Sequence, residues 1–197
     1  MAGSRPPGAP PARAPGPDAI FVFAGGQARK ECAAGLWEFL TREPRLTEMA
    51  LVVSVARFEW RRYALLGLPG VDALQEAVDL VPPEQRHFFV ILERNQVEVR
   101  HVTPRRWGTR NEARALAALV AERGWRSLLV ISSKFHLARV RWVVRRALSE
   151  RTVSVAYATP SRGADPHGPG RWFRSRRGIR LVASEQVKRL VYLFLKP

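Results

Sequence analysis

A chain of 197 residues with 46% hydrophobic and 25% charged residues is long enough to bury a core and fits one soluble domain. No apolar run approaches the roughly 18 residues of a membrane span, and a single cysteine, Cys32, excludes an internal disulfide. The 33 Lys and Arg against 17 Asp and Glu give a formal charge of +16, which suits carboxylate or phosphate partners but also gives loose affinity for any polyanion. The N-terminus lacks the apolar centre of a secretory signal, so we expect a cytoplasmic protein.

Residues 1–18 are dominated by Pro, Ala and Gly and cannot bury enough apolar surface to fold, so we expect a disordered tail. An apolar strand follows at 19–24 and ends in Gly25-Gly26, and apolar residues at helical spacing predict a helix at 28–41. The glycine pair allows the backbone to approach a ligand beside the free N–H groups of the helix, although a plain tight turn explains it equally well.

The next segments alternate again between extended and helical patterns. A second strand is predicted at 50–55, followed by helices at 58–66 and 71–80. Two extended runs, 87–92 and 97–102, are separated by a short polar connection, a spacing typical of a hairpin. We expect this hairpin to place an antiparallel strand at one edge of the sheet.

A helix predicted at 109–123 begins with a recognisable local signature. Thr109 and Glu112 have the spacing of a capping box, in which the hydroxyl accepts a backbone N–H and the carboxylate reaches back toward the cap. On the local sequence alone, the interpretation that these two residues only cap the helix is favoured.

The stretch at 126–148 is the principal candidate for a site, because a short apolar strand opens at once into a helix. The strand is predicted at 128–131 and the helix at 135–148, with Ser133 as its N-cap. Such a strand-to-helix corner is where α/β folds place ligands.

His136 and Arg139 lie three residues apart near the start of this helix, so both project from one side of it. The positive end of the helix dipole favours an anion near His136. Arg139, one turn further on, is in a position to hold that anion.

The last part of the chain carries two further candidates. A strand is predicted at 153–157 and a closing helix at 181–195. Between them, the segment 171–177 mixes aromatic residues with arginines and either stacks on a base and holds a phosphate or packs as a basic surface turn. In the closing helix, Glu185 and Lys188 share one side and either point into the site or form an ordinary surface pair.

The alternation of strands and helices predicts an α/β fold of three layers in a single domain over 19–197. The expected sheet has about five strands and is mostly parallel, with an antiparallel hairpin at one edge and helices on both faces.

These residues together resemble the YdcF/SanA/ElyC family of bacterial proteins, from about Ala19 to Tyr192. The features that carry the resemblance are Gly25-Gly26 after the first strand, Arg29 in the first helix, the Thr-x-x-Glu-Ala of 109–113, the Ser-Ser-x-x-His-x-x-Arg of 132–139 and the Glu-x-x-Lys-x-x-x-Tyr of 185–192. The resemblance implies a Rossmann-like domain whose motifs gather at the carboxyl end of the sheet.

The resemblance also implies a set of site residues. As catalytic residues it implies His136 and Glu112. The ligand-binding residues that it implies are Gly25, Gly26, Arg29, Thr109, Ser132, Ser133, Arg139, Glu185 and Lys188. No metal is expected, because no cluster of His, Cys and Asp has ligand spacing.

The chain departs from the family at two places. After the second strand, Ser54 is followed by Val55-Ala56-Arg57 instead of a Ser-Gly-Gly-like turn, and Glu59 is the candidate for the family's Glu after that turn. Several relatives carry an N-terminal membrane anchor, whereas this chain has its Pro-rich tail, so we expect any role in the envelope to be exercised from the cytoplasmic side.

Three functions are compatible with these observations. The first is a site for a small anionic ligand, phosphorylated or nucleotide-like, with hydrolase or transferase activity in envelope metabolism; Glu112 would act there as base or orienter. The second is a non-catalytic module that senses a nucleotide or adenosyl ligand. The third, ranked last, is binding of nucleic acid or peripheral contact with an anionic membrane through the arginine-rich surface, and no nucleic-acid motif is present.

Overall fold

Strands and helices alternate along the chain in the computed structural model, which describes residues 16–94, 96–104 and 108–160 and the single helical positions 176, 179, 180 and 183. The strands are β1 (Ala19–Val22), β2 (Ala50–Ala56), β3 (His87–Glu93), β4 (Gln96–His101), β5 (Ser127–Ile131) and β6 (Ser154–Ala158). The α-helices are α1 (Gln27–Thr41), α2 (Trp60–Tyr63), α3 (Val71–Asp79), α4 (Gly108–Arg123) and α5 (Leu137–Ala147). Short 3-10 helices cover Ala64–Leu66 and Pro83–Gln85.

The strands form one mixed sheet in the order β4-β3-β2-β1-β5-β6. β1 lies parallel between β2 and β5, and β6 is parallel to β5. β3 is antiparallel to β2 and to β4, so the predicted hairpin lies at one edge. The α/β prediction is confirmed, with six strands where about five were expected.

Two apolar cores, one on each face of the sheet, complete three layers. Phe21 of β1 packs with α4 and α5, and its ring meets that of Phe89 edge to face at 5.2 Å between centroids. Ile20 and Val22 point the other way and pack with α1 and α3, because successive strand residues face opposite sides. Helices therefore cover both faces, as predicted.

Residues that precede β1 already contact the folded part of the chain. Asp18 is buried, and its Oδ2 accepts the backbone N–H groups of Arg126 and Ser127 at 2.6 and 2.9 Å. The Gly16 carbonyl also accepts the Ser127 hydroxyl at 3.3 Å, so residues 16–18, which composition assigned to the disordered tail, contact the fold. Positions 1–15, the aromatic and arginine segment at 171–177 except Arg176, and most of the predicted closing helix lie outside the described residues.

Two helix starts differ from the predicted ones. Ser133 is not an N-cap: the His136 N–H donates to the Ser133 carbonyl at 2.9 Å in a turn, so α5 begins one turn later with His136 as the capping residue. Thr109 lies inside α4, which begins at Gly108. The capping-box interpretation of Glu112 is wrong as well, because its Oε1 accepts bonds from other parts of the chain.

The helix predicted at 58–66 is divided into α2 and the 3-10 turn at Ala64–Leu66. Gly67 ends it in a left-handed conformation, with φ of 67°. In the described parts of the chain, no helix is both long enough and apolar enough to cross a bilayer.

The last turn of α4 is tied to the hairpin by ion pairs. Arg123 contacts Glu93 of β3 at 3.2 Å and also Glu98 of β4. The Arg100 guanidinium of β4 donates two hydrogen bonds to the Glu122 carboxylate, at 2.6 and 2.9 Å. Because these arginines pair with glutamates, the positive and negative charges of this surface largely cancel.

Candidate functional site

The strand order reverses at β1, and in open α/β sheets the segments that leave the strands on either side of such a reversal flank a crevice at the carboxyl edge. From β1 the chain passes through α1 to β2 on one side, and it later returns through α4 to β5 on the other side. Val22 pairs with Ile131, so the segments that leave β1 and β5 start side by side. In α/β sheets, ligands bind at such a reversal.

The turn after β1 is shaped by Arg29. Gly25 has φ of +127°, a conformation that side chains rarely adopt, and a Cβ at that position would lie 1.5 Å from an Nη atom of Arg29. Arg29 is only 6% exposed, so its guanidinium is packed against the turn. Gly26, in contrast, has an ordinary φ of −54° and open space where a Cβ would be. The turn therefore requires the first glycine and leaves room beside the second.

Glu112 joins three strands at this edge. Its Oε1 accepts the Ala24 N–H at 2.9 Å and the Ser54 hydroxyl at 2.5 Å, and it lies 3.6 Å from Nε2 of His87. The Ser54 oxygen is also 2.9 Å from that Nε2. Since Ser54 has a single proton, which it donates to the carboxylate, the imidazole N–H donates to Ser54. The network is buried: Glu112 is 4% exposed.

Glu112 is held in its ionised form. Burial alone would raise the pKa of this carboxyl, but the interaction with His87, the Ser54 hydroxyl and the Ala24 N–H together lower the pKa below its usual value. A carboxylate with a lowered pKa is a weak proton acceptor. Of the two roles that the sequence left open, base or orienter, this geometry favours the orienter, because Oε1 already fixes the turn after β1.

The lowered pKa of Glu112 predicts an acid-sensitive contribution to stability. In the unfolded chain the group titrates near 4.3, so its contribution is complete above that pH and is lost as the pH falls through the lower folded pKa. We expect urea midpoints of the wild-type protein to fall more steeply than those of Glu112→Gln as the pH is lowered below about 4.5. Equal slopes below that pH would contradict the assignment.

A buried ion pair supports the same edge from the α1 face. Lys30 is 1% exposed, and its Nζ lies 2.5 Å from Oε2 of Glu59, which also accepts the Ala56 N–H at 3.3 Å. Burial lowers the pKa of Lys30, and the charge of Glu59 opposes that shift. The pair joins α1 to the segment that follows β2. Glu59, which the resemblance proposed at this turn, is thus in contact with the site-forming helix.

The corner after β5 holds the other predicted residues. Nη2 of Arg139 lies 3.3 Å from Nδ1 of His136, and both side chains are half-buried. An arginine can only donate, so Nδ1 accepts, and the proton of the neutral imidazole is then on Nε2. Ser132 is fully buried, and its Oγ has no hydrogen-bond partner among the residues described.

The structure places most of the predicted site residues at one edge. Arg29 follows β1. Thr109 lies in the first turn of α4 and Glu112 at the start of the second, and α4 shares a layer with α5. Gly25, Gly26, Ser132, Ser133, His136 and Arg139 all belong to the two adjacent corners. Glu185 and Lys188 fall outside the described residues.

Sequence reasoning missed Ser54, His87 and Lys30. Ser54 is a polar residue inside an apolar strand, and Lys30 interrupts the apolar face of a helix, so both carried a usable signal. His87 opens its strand, and only the antiparallel direction of β3 brings that first residue to the carboxyl edge of β2.

The described residues contain no group of three His, Cys, Asp or Glu side chains arranged to hold a metal ion. The Cys32 thiol is half-buried, and burial raises its pKa, which reduces the thiolate fraction.

Compared with protein-family models, with curated proteins and with solved structures, the chain gives no significant match.

Proposed function

We propose that the crevice between β1 and β5 binds a small anionic ligand, phosphorylated or nucleotide-like. One observation carries this proposal. The adjacent strands β1 and β5 each lead through a short turn into a helix, and the third residue of each helix is an arginine, Arg29 in α1 and Arg139 in α5. Two helix N-termini and two guanidinium groups beside one crevice form an environment that favours a phosphate.

His136 adds the chemistry of a proton donor. With Nδ1 accepting from Arg139, the proton of the neutral ring is on Nε2, where it can be donated to a phosphate or to a leaving oxygen. In an enzyme of the YdcF/SanA/ElyC type, as the sequence resemblance suggests, this step would serve a hydrolase or transferase acting on a phosphorylated substrate of the bacterial envelope. Glu112 would orient the turn that receives the ligand.

The second candidate is a module that binds the same ligand class without turnover. The buried position and lowered pKa of Glu112 favour it, because of the two expected roles, base or orienter, they favour the orienter and leave no base. His136→Ala separates the two candidates. A fall in turnover at unchanged ligand affinity supports the enzyme, and a fall in affinity alone supports the binding module.

A thermal-shift screen of nucleotides, sugar phosphates, adenosyl compounds and inorganic phosphate tests the proposal directly. A ligand present at about 100 times its dissociation constant adds about 2.7 kcal/mol to the free energy of unfolding, which such a screen detects. No shift with any of these anions would count against the site.

For a ligand found in that screen, Arg139→Gln is expected to weaken binding about 10- to 100-fold, because it removes a charged hydrogen-bond donor worth about 1.5–3 kcal/mol. Isothermal titration calorimetry measures the change. Arg42→Gln is the matched control, since Arg42 is exposed at the opposite end of α1. Equal weakening by both variants would mean that only net charge matters.

A further inference from the structure

A second cationic feature lies on the outer side of the α4/α5 layer, away from the sheet. A cavity of about 830 Å³ opens there between the two helices. Within the described parts of the chain, its charged lining residues are Arg110, Arg114, Arg141, Arg145, Arg146 and Glu150. None of these described lining residues belongs to the crevice between β1 and β5.

The five arginines of the cleft differ from Arg123 at the end of α4 in their pairing with carboxylates. Within the described parts of the chain, no ion pair joins any of them to a carboxylate, whereas Arg123 in the last turn of the same helix contacts Glu93 and Glu98. Among the described residues of the lining, Glu150 is the single acidic side chain, against five guanidinium groups. The cleft therefore carries a concentrated positive charge.

Two of these side chains are also held in place by aromatic rings. The Arg141 guanidinium lies 5.2 Å from the centroid of the Tyr157 ring, and that of Arg146 lies 5.5 Å from the Trp142 ring. Arg110 and Arg114 are one helical turn apart on α4, and so are Arg141 and Arg145 on α5. Each helix therefore carries two neighbouring positive charges on one face, and they repel each other. An anion between the helices would relieve this repulsion.

The shape of the cleft selects the class of anion. Its volume lies within the roughly 300–1,000 Å³ typical of small-molecule sites, and it is a concave space between two helices, whereas a bilayer or a nucleic-acid duplex presents a broad surface. The five guanidinium groups and Glu150 give the described lining a formal charge of +4 (five positive charges less one), whereas one phosphate group supplies only about −2 at neutral pH. We propose that the α4/α5 cleft binds a small molecule carrying several linked phosphates.

The test uses the full chain and inorganic tripolyphosphate as the probe, with binding measured by calorimetry at 50 and 200 mM salt. The triple variant Arg114→Gln/Arg141→Gln/Arg145→Gln removes three charges from the cleft. Arg42→Gln/Arg45→Gln/Arg61→Gln removes the same number from exposed positions on the side of α1 and α2. Circular dichroism melts establish that both variants are folded.

We expect the cleft variant to bind tripolyphosphate at least about tenfold more weakly than the wild type, because it loses several charged hydrogen bonds. The control variant should stay within about threefold of the wild type, as distant exposed charges are screened. Absence of binding to the wild type, or equal weakening in both variants, would overturn the proposal. So would tight binding of a 20-nucleotide oligothymidylate without binding of tripolyphosphate, since it would indicate a nucleic-acid surface.

The proposals for the cleft and for the crevice can be refuted independently. Arg139→Gln is expected to lower the affinity of the crevice for its ligand. It should leave the affinity of the cleft for tripolyphosphate unchanged, because Arg139 does not line the cleft. If instead Arg139→Gln abolishes all tripolyphosphate binding, the anion site is the crevice, and the proposal for the cleft is wrong.

Discussion

Glu112→Ala should lower the free energy of unfolding by about 3–5 kcal/mol, the cost of removing one partner from a buried charged network. The substitution leaves the Ala24 N–H and the Ser54 hydroxyl without their acceptor, and it removes the carboxylate that lies 3.6 Å from the His87 imidazole. Because these groups are buried, water does not readily replace that oxygen. Urea unfolding followed by circular dichroism measures the loss.

Two further variants make the Glu112 result specific. Glu112→Gln keeps a carbonyl acceptor and should cost about 1–2 kcal/mol. Glu122→Gln, on the exposed side of the same helix, should change stability little, since surface ion pairs contribute little. If Glu112→Ala is no more destabilising than Glu122→Gln, the buried network does not hold this edge together.

Gly25→Ala should both destabilise the protein and disable the crevice. An alanine at φ of +127° costs about 1–3 kcal/mol in backbone strain, and its Cβ would occupy the place of the Arg29 guanidinium. Arg29 would have to leave its buried position, so we expect binding of any anion found by thermal shift to fall at least about tenfold. Thermal melts and calorimetry on the same samples give both numbers.

Gly26→Ala is the matched control for that experiment. Gly26 has φ of −54° and open space around its Cα, so alanine there should change stability by less than about 0.5 kcal/mol. Comparable losses in the two variants would show that the turn tolerates no added side chain at either position, and the role assigned to Arg29 would be lost.

The architecture of this protein could be predicted from its sequence because its strands and helices have strong local signals. The buried strands are continuous apolar runs, and the hairpin shows as two extended segments with a short polar connection, so the structure confirms each of them. Helix starts were less predictable. Ser133 is a good cap by residue type, but a turn at 134–136 delays α5, and this competition is not visible in local propensity.

The candidate site could be located only in part, for a physical reason. Gly25, Arg29, His136 and Arg139 lie next to strand ends along the chain, where parallel topology brings them together. The partners of Glu112 are set by tertiary packing: Ser54 is 58 residues away in sequence. A capping box and a buried tertiary network use the same Thr-x-x-Glu letters, and no local pattern distinguishes them.

The two ends of α4 are both fastened by carboxylate contacts, and together they reach four consecutive strands. Glu112, at the start of its second turn, contacts the residue after β1 and Ser54 of β2. Glu122 and Arg123 link its last turn to β3 and β4. By comparison, α5 is seated on Val140, Val143 and Val144, whose apolar contacts have no fixed direction. We therefore expect α4 to be the stationary wall of the crevice, so that accommodation of ligands of different size falls to α5.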